Sequence, residues 1–232
     1  MSAGRPLKDT LARRVLPRAV VAQSRIDWPA RAGATVRRLL GRSGRVELFF
    51  AFDDPCSAVA VIELAERLRG RNVTLVLLPV VHRGMAGDPA VELKRRYAIG
   101  DARRRGARSG LVLSRNEPLD PSLVSFLPEW VCAARQGPAL TRFCVEALRQ
   151  LWFSGHGPAG RDELGALWRE LFDSDQPLEG GSHGVRRNER RMRRRGPYDT
   201  PAAWVHGQWF FAHDRASQIE DRLDDLGWTV SR

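Results

Sequence analysis

The feature that most constrains this chain is the stretch Val46–Arg69, where an apolar run stops at Asp53-Asp54-Pro55-Cys56-Ser57 and resumes with a different period. Val46, Leu48, Phe49, Phe50 and Phe52 are β-branched, branched or aromatic and nearly continuous, which predicts a short strand buried on both faces. Beyond it, Asp54 offers a capping carboxylate and Pro55 suits the first helical position. Val59, Ile62, Leu64, Ala65 and Leu68 supply the apolar side chains of the helix that follows. A strand that turns directly into a helix leaves unpaired N–H groups and a positive dipole end at the corner. Asp54 to Ser57 therefore occupy a natural anion or thiolate site.

Asn72 interrupts the pattern, and Val73–Val81 reads as a second buried strand, so strand, helix and strand form a right-handed crossover with the strands parallel. Gly84 to Pro89 is expected to be a loop. From Pro121 to Phe172 the period is helical: Leu140, Phe143, Cys144, Ala147, Leu148, Leu151 and Trp152 share one face, and Leu164, Leu167, Trp168, Leu171 and Phe172 repeat the pattern after Asp162, a candidate cap. Residues 177–184 read as a loop, Arg186 to Arg195 as a basic helix, and His206-Gly207 as the turn of a hairpin between two short apolar runs. Ile219, Leu223 and Leu226 mark the buried side of a closing helix, for which Asp214 is a candidate cap.

The net charge of +11 is carried almost wholly by arginine, and it is uneven. Residues 1–45 hold eleven basic and two acidic side chains, and residues 186–195 hold seven arginines and Glu189, which leaves the remainder mildly acidic. Leu7, Leu11 and Val15, four apart among arginines, suit a short basic amphipathic helix. Residues 1–45 are thus expected to be a basic, largely solvated arm. Arm and basic helix are also candidates for contact with nucleic acid or an acidic membrane surface, although neither carries interleaved aromatics or a recognition motif. Cys56, Cys132 and Cys144 have no spacing suited to zinc or to a dithiol, so neither a metal site nor a disulfide framework is expected. The N-terminus lacks the apolar core of a signal peptide, which together with the cysteines points to a cytoplasmic compartment.

Several segments resemble the DsbA-like thioredoxin superfamily, particularly its 2-hydroxychromene-2-carboxylate isomerase and kappa-class glutathione transferase branch. They are Val46-Glu47-Leu48-Phe49-Phe50 with Asp54-Pro55-Cys56-Ser57; Lys94-x-x-Tyr97-x-x-x-Asp101-x-x-Arg104 followed by Gly110; and Thr200-Pro201, a hairpin, an aromatic pair and Asp214-Arg215. The resemblance implies an α/β thioredoxin-like fold over residues 46–228 with an inserted helical subdomain at about 89–176. It implies a glutathione-dependent isomerase or transferase acting on a small aromatic or electrophilic substrate, with relatives that are often dimers. By the same resemblance Pro201 is the cis-proline, Thr200 holds the glutathione backbone, and Asp214, with His213, holds its γ-glutamyl end.

At the corner the chain departs from that pattern. The branch places at position 54 a serine that hydrogen-bonds the glutathione sulfur, and disulfide oxidoreductases place cysteines at 54 and 57; here these are Asp54 and Ser57. That departure argues against two-cysteine dithiol chemistry. A thiolate about 4 Å from Asp54 is disfavoured by about 1 kcal/mol in water-like screening and about 4 kcal/mol at an effective dielectric near 20. Three readings stay open: Asp54 as a proton-transferring base, Asp54 as a helix cap only, or Cys56 as a reactive thiol in the first helical turn. At the level of function, the alternatives to the isomerase are a non-catalytic interaction protein using its arginine-rich segments and a redox sensor using Cys56.

Overall fold

The computed structural model describes residues 27–85, 87–175, 180–195 and 197–230. The proposed helix around Leu7, Leu11 and Val15 lies outside the described residues. The elements run α1 (Trp28–Leu39), β1 (Gly44–Phe50), α2 (Pro55–Arg67), β2 (Val73–Pro79), α3 (Val91–Arg108), a 3-10 turn (Pro121–Val124), α4 (Leu127–Ala133), α5 (Pro138–Trp152), α6 (Arg161–Phe172), α7 (Gly181–Arg195), β3 (Ala202–Val205), β4 (Gln208–Phe211) and α8 (Ala216–Asp225).

The sheet order is β2-β1-β3-β4, with β1 and β2 parallel and the β3–β4 hairpin antiparallel to β1. This is a thioredoxin-like sheet. Its central strand is covered on both sides, as the sequence pattern requires. Val46, Leu48 and Phe50 enter the main core with α2, α5 and α8, while Phe49 joins Val76, Leu78, Val80 and Met192 in a smaller cluster on the opposite face. Glu47 also lies on that opposite face, nearly buried, and is ion-paired with Arg191 on α7 and with Arg45 (2.9 Å). The stripe of α5 is buried at all seven expected positions, Cys144 among them. At the hairpin turn both His206 and Gly207 have positive φ, the geometry of a tight two-residue turn that matches strand twist.

Four local expectations are corrected. Residues 28–39 are not part of a solvated arm: they form α1, which seats Ala34 in the core and is tied to α8 by Arg222 donating to both carboxylate oxygens of Asp27 (2.8 and 2.6 Å). α7 begins at Gly181, not after a loop ending at 184. Its glycines serve close packing on α4: a Cβ at Gly181 would stand 1.9 Å from the Glu129 carbonyl oxygen, and one at Gly184 would stand 2.7 Å from Cys132 Cβ. The N-cap of α6 is Gly160, whose N–H donates to Glu163 Oε2 (2.6 Å), and Asp162 sits inside the first turn. Arg215, not Asp214, is the N-cap residue of α8, with no side-chain cap.

Candidate active site

The C-terminal end of β1, the N-terminus of α2 and the loop before β3 meet at one end of the sheet's inner strands, and a cleft of ≈ 490 Å³ opens there between them and α3. Asp54 lies at its floor. The residue takes the extended backbone of an N-cap, and its carboxylate accepts four hydrogen bonds. Oδ1 receives the Cys56 N–H (3.1 Å); Oδ2 receives the Ser57 N–H (3.1 Å), the Ser57 hydroxyl (2.6 Å) and the Thr200 hydroxyl (3.3 Å). A carboxylate, acceptor on both oxygens, is suited to gather donors in this way. Asp54 thus closes the helix terminus and bridges it to the loop 146 residues further along the chain.

The Thr200-Pro201 peptide bond is cis. Pro201 is buried, whereas Thr200 lines the cleft and donates its N–H to the exposed carboxylate of its neighbour Asp199 (2.8 Å). Ser57 is fully buried, its oxygen also accepting the Ala51 N–H (3.2 Å), so it supports Asp54 from behind and does not face the cleft. Cys56 lines the cleft but is only 7% exposed, with its thiol directed at the Ala98 carbonyl oxygen (3.6 Å). Burial, and next the charge of Asp54, push this thiol well above its ordinary pKa, which weighs against the reactive-thiol reading. Burial likewise raises the Asp54 carboxyl, an effect that Arg83 and the Ser57 hydrogen bond oppose.

His213 lines the cleft; its Nδ1 makes no hydrogen bond, and burial, followed by Arg105, lowers its pKa, which favours the neutral imidazole. Asp214 stands outside the cleft, with its carboxylate 3.6 Å from Arg105. The α3 motif is divided: Lys94, Tyr97 and Asp101 line the cleft, whereas Arg104 pairs with Asp101 from outside it.

Sequence reasoning missed the groups that give the cleft its charge. Arg83 grips Asp53 with two hydrogen bonds (2.6 and 3.1 Å), and Arg95 lies 3.7 Å from the same carboxylate. Arg83 also lies 3.9 Å from Asp199, and Lys94 pairs with Asp88. The Asp53-Asp54 doublet was the available signal: two adjacent carboxylates at a helix start call for a cation nearby. Among the described residues no cluster of histidine, cysteine and carboxylate side chains could hold a metal ion, and no helix is long and apolar enough to cross a membrane.

No family model matches the chain, and no curated protein does. Among solved structures, 2-hydroxychromene-2-carboxylate isomerase is similar over 78% of this chain and 95% of that one, with a TM-score of 0.61 and 14% sequence identity. ScsC of Proteus mirabilis, in a transitional conformation, covers 95% of this chain and 91% of its own, with a TM-score of 0.47 and 14% identity. The chain has the DsbA-like thioredoxin fold.

Proposed function

We propose that the protein is a glutathione-dependent isomerase or transferase of the 2-hydroxychromene-2-carboxylate isomerase and kappa type, acting on a small aromatic or electrophilic substrate. The observation that carries this reading is the meeting of Asp54 with Thr200 (3.3 Å) at the floor of a ≈ 490 Å³ cleft, a size suited to small ligands. The residues present fit glutathione entering as a neutral thiol, not as a bound thiolate. Asp54 already takes the N–H groups of Cys56 and Ser57, so the helix terminus has little to give a second anion. Burial raises the pKa of the Asp54 carboxyl, which suits it to take up the proton of an entering thiol.

Glutathione would lie against Thr200, whose N–H Asp199 can surrender because its own side chain is 59% exposed. Asp214 is turned to Arg105, which leaves His213 to face the γ-glutamyl end. The tripeptide supplies a nucleophilic thiol. The chain's own part is to hold a proton on Asp54 and return it to the reacting centre, while Tyr97 and Val91 offer apolar surface to an aromatic ring.

The four donors around Asp54 favour a second reading, in which the carboxylate is cap and clamp alone and the fold has left thiol chemistry behind. One experiment separates the two. A ligand that binds only the native state must raise its stability, by about 2.7 kcal/mol at a hundred times Kd. Millimolar reduced glutathione is expected to raise the melting temperature, and Thr200→Pro, which removes the N–H donor, to abolish the rise. An unchanged melting temperature for the wild-type protein retires the glutathione reading.

A further inference from the structure

Among the described residues, nothing covers the face of α1 turned away from the domain. Trp28, Ala32, Val36 and Leu39 recur at intervals of four, four and three and share one side of the helix; Leu40 extends that side past its end. Trp28 is 73% and Leu39 is 82% exposed, with Val36 and Leu40 more than half exposed. The opposite side is fixed, Ala34 in the core and Asp27 in the grip of Arg222, so the helix cannot roll its apolar side inward. Arg31, paired with Asp27 (2.8 Å) and 3.8 Å from Asp225, borders the apolar side and Arg42 follows it, whereas the Arg38 guanidinium lies further round, against Gly227; all three are exposed. Among the described residues neither Arg38 nor Arg42 has a carboxylate partner. Six further basic residues and Asp9 precede the helix in the sequence.

An exposed apolar stripe edged by arginines suits few surfaces. Nucleic acid would use the arginines and leave Trp28, Val36 and Leu39 in water. A second copy docked face to face through a twofold axis would cover the apolar stripe but bring Arg31 and Arg42 towards their own copies. Residues 1–26, themselves strongly basic, meet the same repulsion. A bilayer with anionic headgroups satisfies both features: the tryptophan and leucines enter the boundary between headgroups and acyl chains, and the arginines remain at headgroup level.

We propose that the protein binds anionic membrane surfaces peripherally through α1, with Trp28, Val36, Leu39 and Leu40 as the inserted side chains and Arg31 and Arg42 as the headgroup contacts. The test is co-sedimentation of the full-length protein with vesicles of phosphatidylcholine alone or with a quarter of phosphatidylglycerol. Binding is expected only to the anionic vesicles, with loss in about 1 M salt, where the screening length is about 3 Å. The double variant Trp28→Ser, Leu39→Ser should weaken it at least about tenfold. Since both side chains face solvent, that variant should keep the wild-type melting temperature and circular dichroism. Three results overturn the proposal. One is no binding of the wild type to anionic vesicles, as expected were residues 1–26 to cover the stripe. Another is binding that survives the double variant but is lost on Arg186→Ala, Arg190→Ala, which assigns it to α7. The third is a dimer, by light scattering, that the double variant makes a monomer.

Discussion

Replacing Asp54 by serine tests the central physical argument, because it restores a hydroxyl while removing the charge. A ligand sulfur that takes the Cys56 N–H must come within about 4 Å of Asp54 Oδ1, which already lies 3.1 Å from that nitrogen. At that separation, two unit negative charges repel by about 1 kcal/mol in water-like screening and about 4 kcal/mol at an effective dielectric near 20. Divided by 1.36 kcal/mol per pKa unit, this predicts that Asp54→Ser lowers the pKa of a bound glutathione thiol by roughly one to three units. Were glutathione bound, the wild-type pair would titrate as one coupled system sharing its protons between carboxyl and thiol. Serine is as good an N-cap as aspartate, so the fold should survive the change. The assay is ultraviolet thiolate absorbance of bound glutathione against pH, wild type beside variant, with melting temperature as the control. A bound-thiol pKa unmoved by the substitution refutes the claim that Asp54 shares the sulfur's site.

Other consequences follow from single side chains. Burial raises the Asp54 carboxyl, so its protonated form favours the folded state, in full below the unfolded pKa of about 4. Wild type should therefore lose stability relative to Asp54→Asn as pH rises from there through the folded value, read from urea midpoints, and parallel curves would contradict the shift. Asp27 is the opposite case, pulled down to about 2 chiefly by the Arg222 hydrogen bonds. Its contribution, about 1 kcal/mol after allowance for solvent screening, is present above pH 4 and lost as pH falls towards 2. Asp27→Asn should remove that acid-range loss. Burial pushes Cys132 to about 11 and Cys56 and Cys144 further, so no thiol of the native protein should react with a disulfide reagent at pH 7 faster than free cysteine. Fast labelling of Cys56 would revive the redox reading.

Elements whose signal is local were legible in the sequence. β1 and α2 follow from an apolar run, a capping aspartate and a proline in fixed order, and α5 from an uninterrupted helical period. Where a residue type serves two purposes, pattern alone misled. Gly181 and Gly184 read as loop punctuation, yet they let α7 approach the backbone of α4, a need visible only when both helices are in place. Asp214 had the composition of a cap, but Arg105 from α3 lies near its carboxylate instead. The same holds at the cleft. Asp54 and Thr200 were found because each belongs to a short motif, whereas the Arg83–Asp53 pair joins two loops with no periodicity between them.

Asp54 also explains how this fold can keep its cleft while changing what the cleft can stabilise. In a thioredoxin-like corner the helix terminus is a fixed positive end that favours an incoming anion. Here the chain supplies that anion itself, on a side chain that also accepts from the loop carrying the cis-proline. The two walls of the cleft are therefore joined whether or not a ligand is present, and the dipole is answered from within. Any thiol entering must compete with a carboxylate already bonded to four donors, and it competes best when one of the two is neutral. Thiol binding should accordingly weaken as pH rises through the titration of that pair, the reverse of what an unoccupied helix terminus would give. A glutathione affinity that increases from pH 6 to pH 8 in the wild type, measured by calorimetry, would contradict this account of the corner.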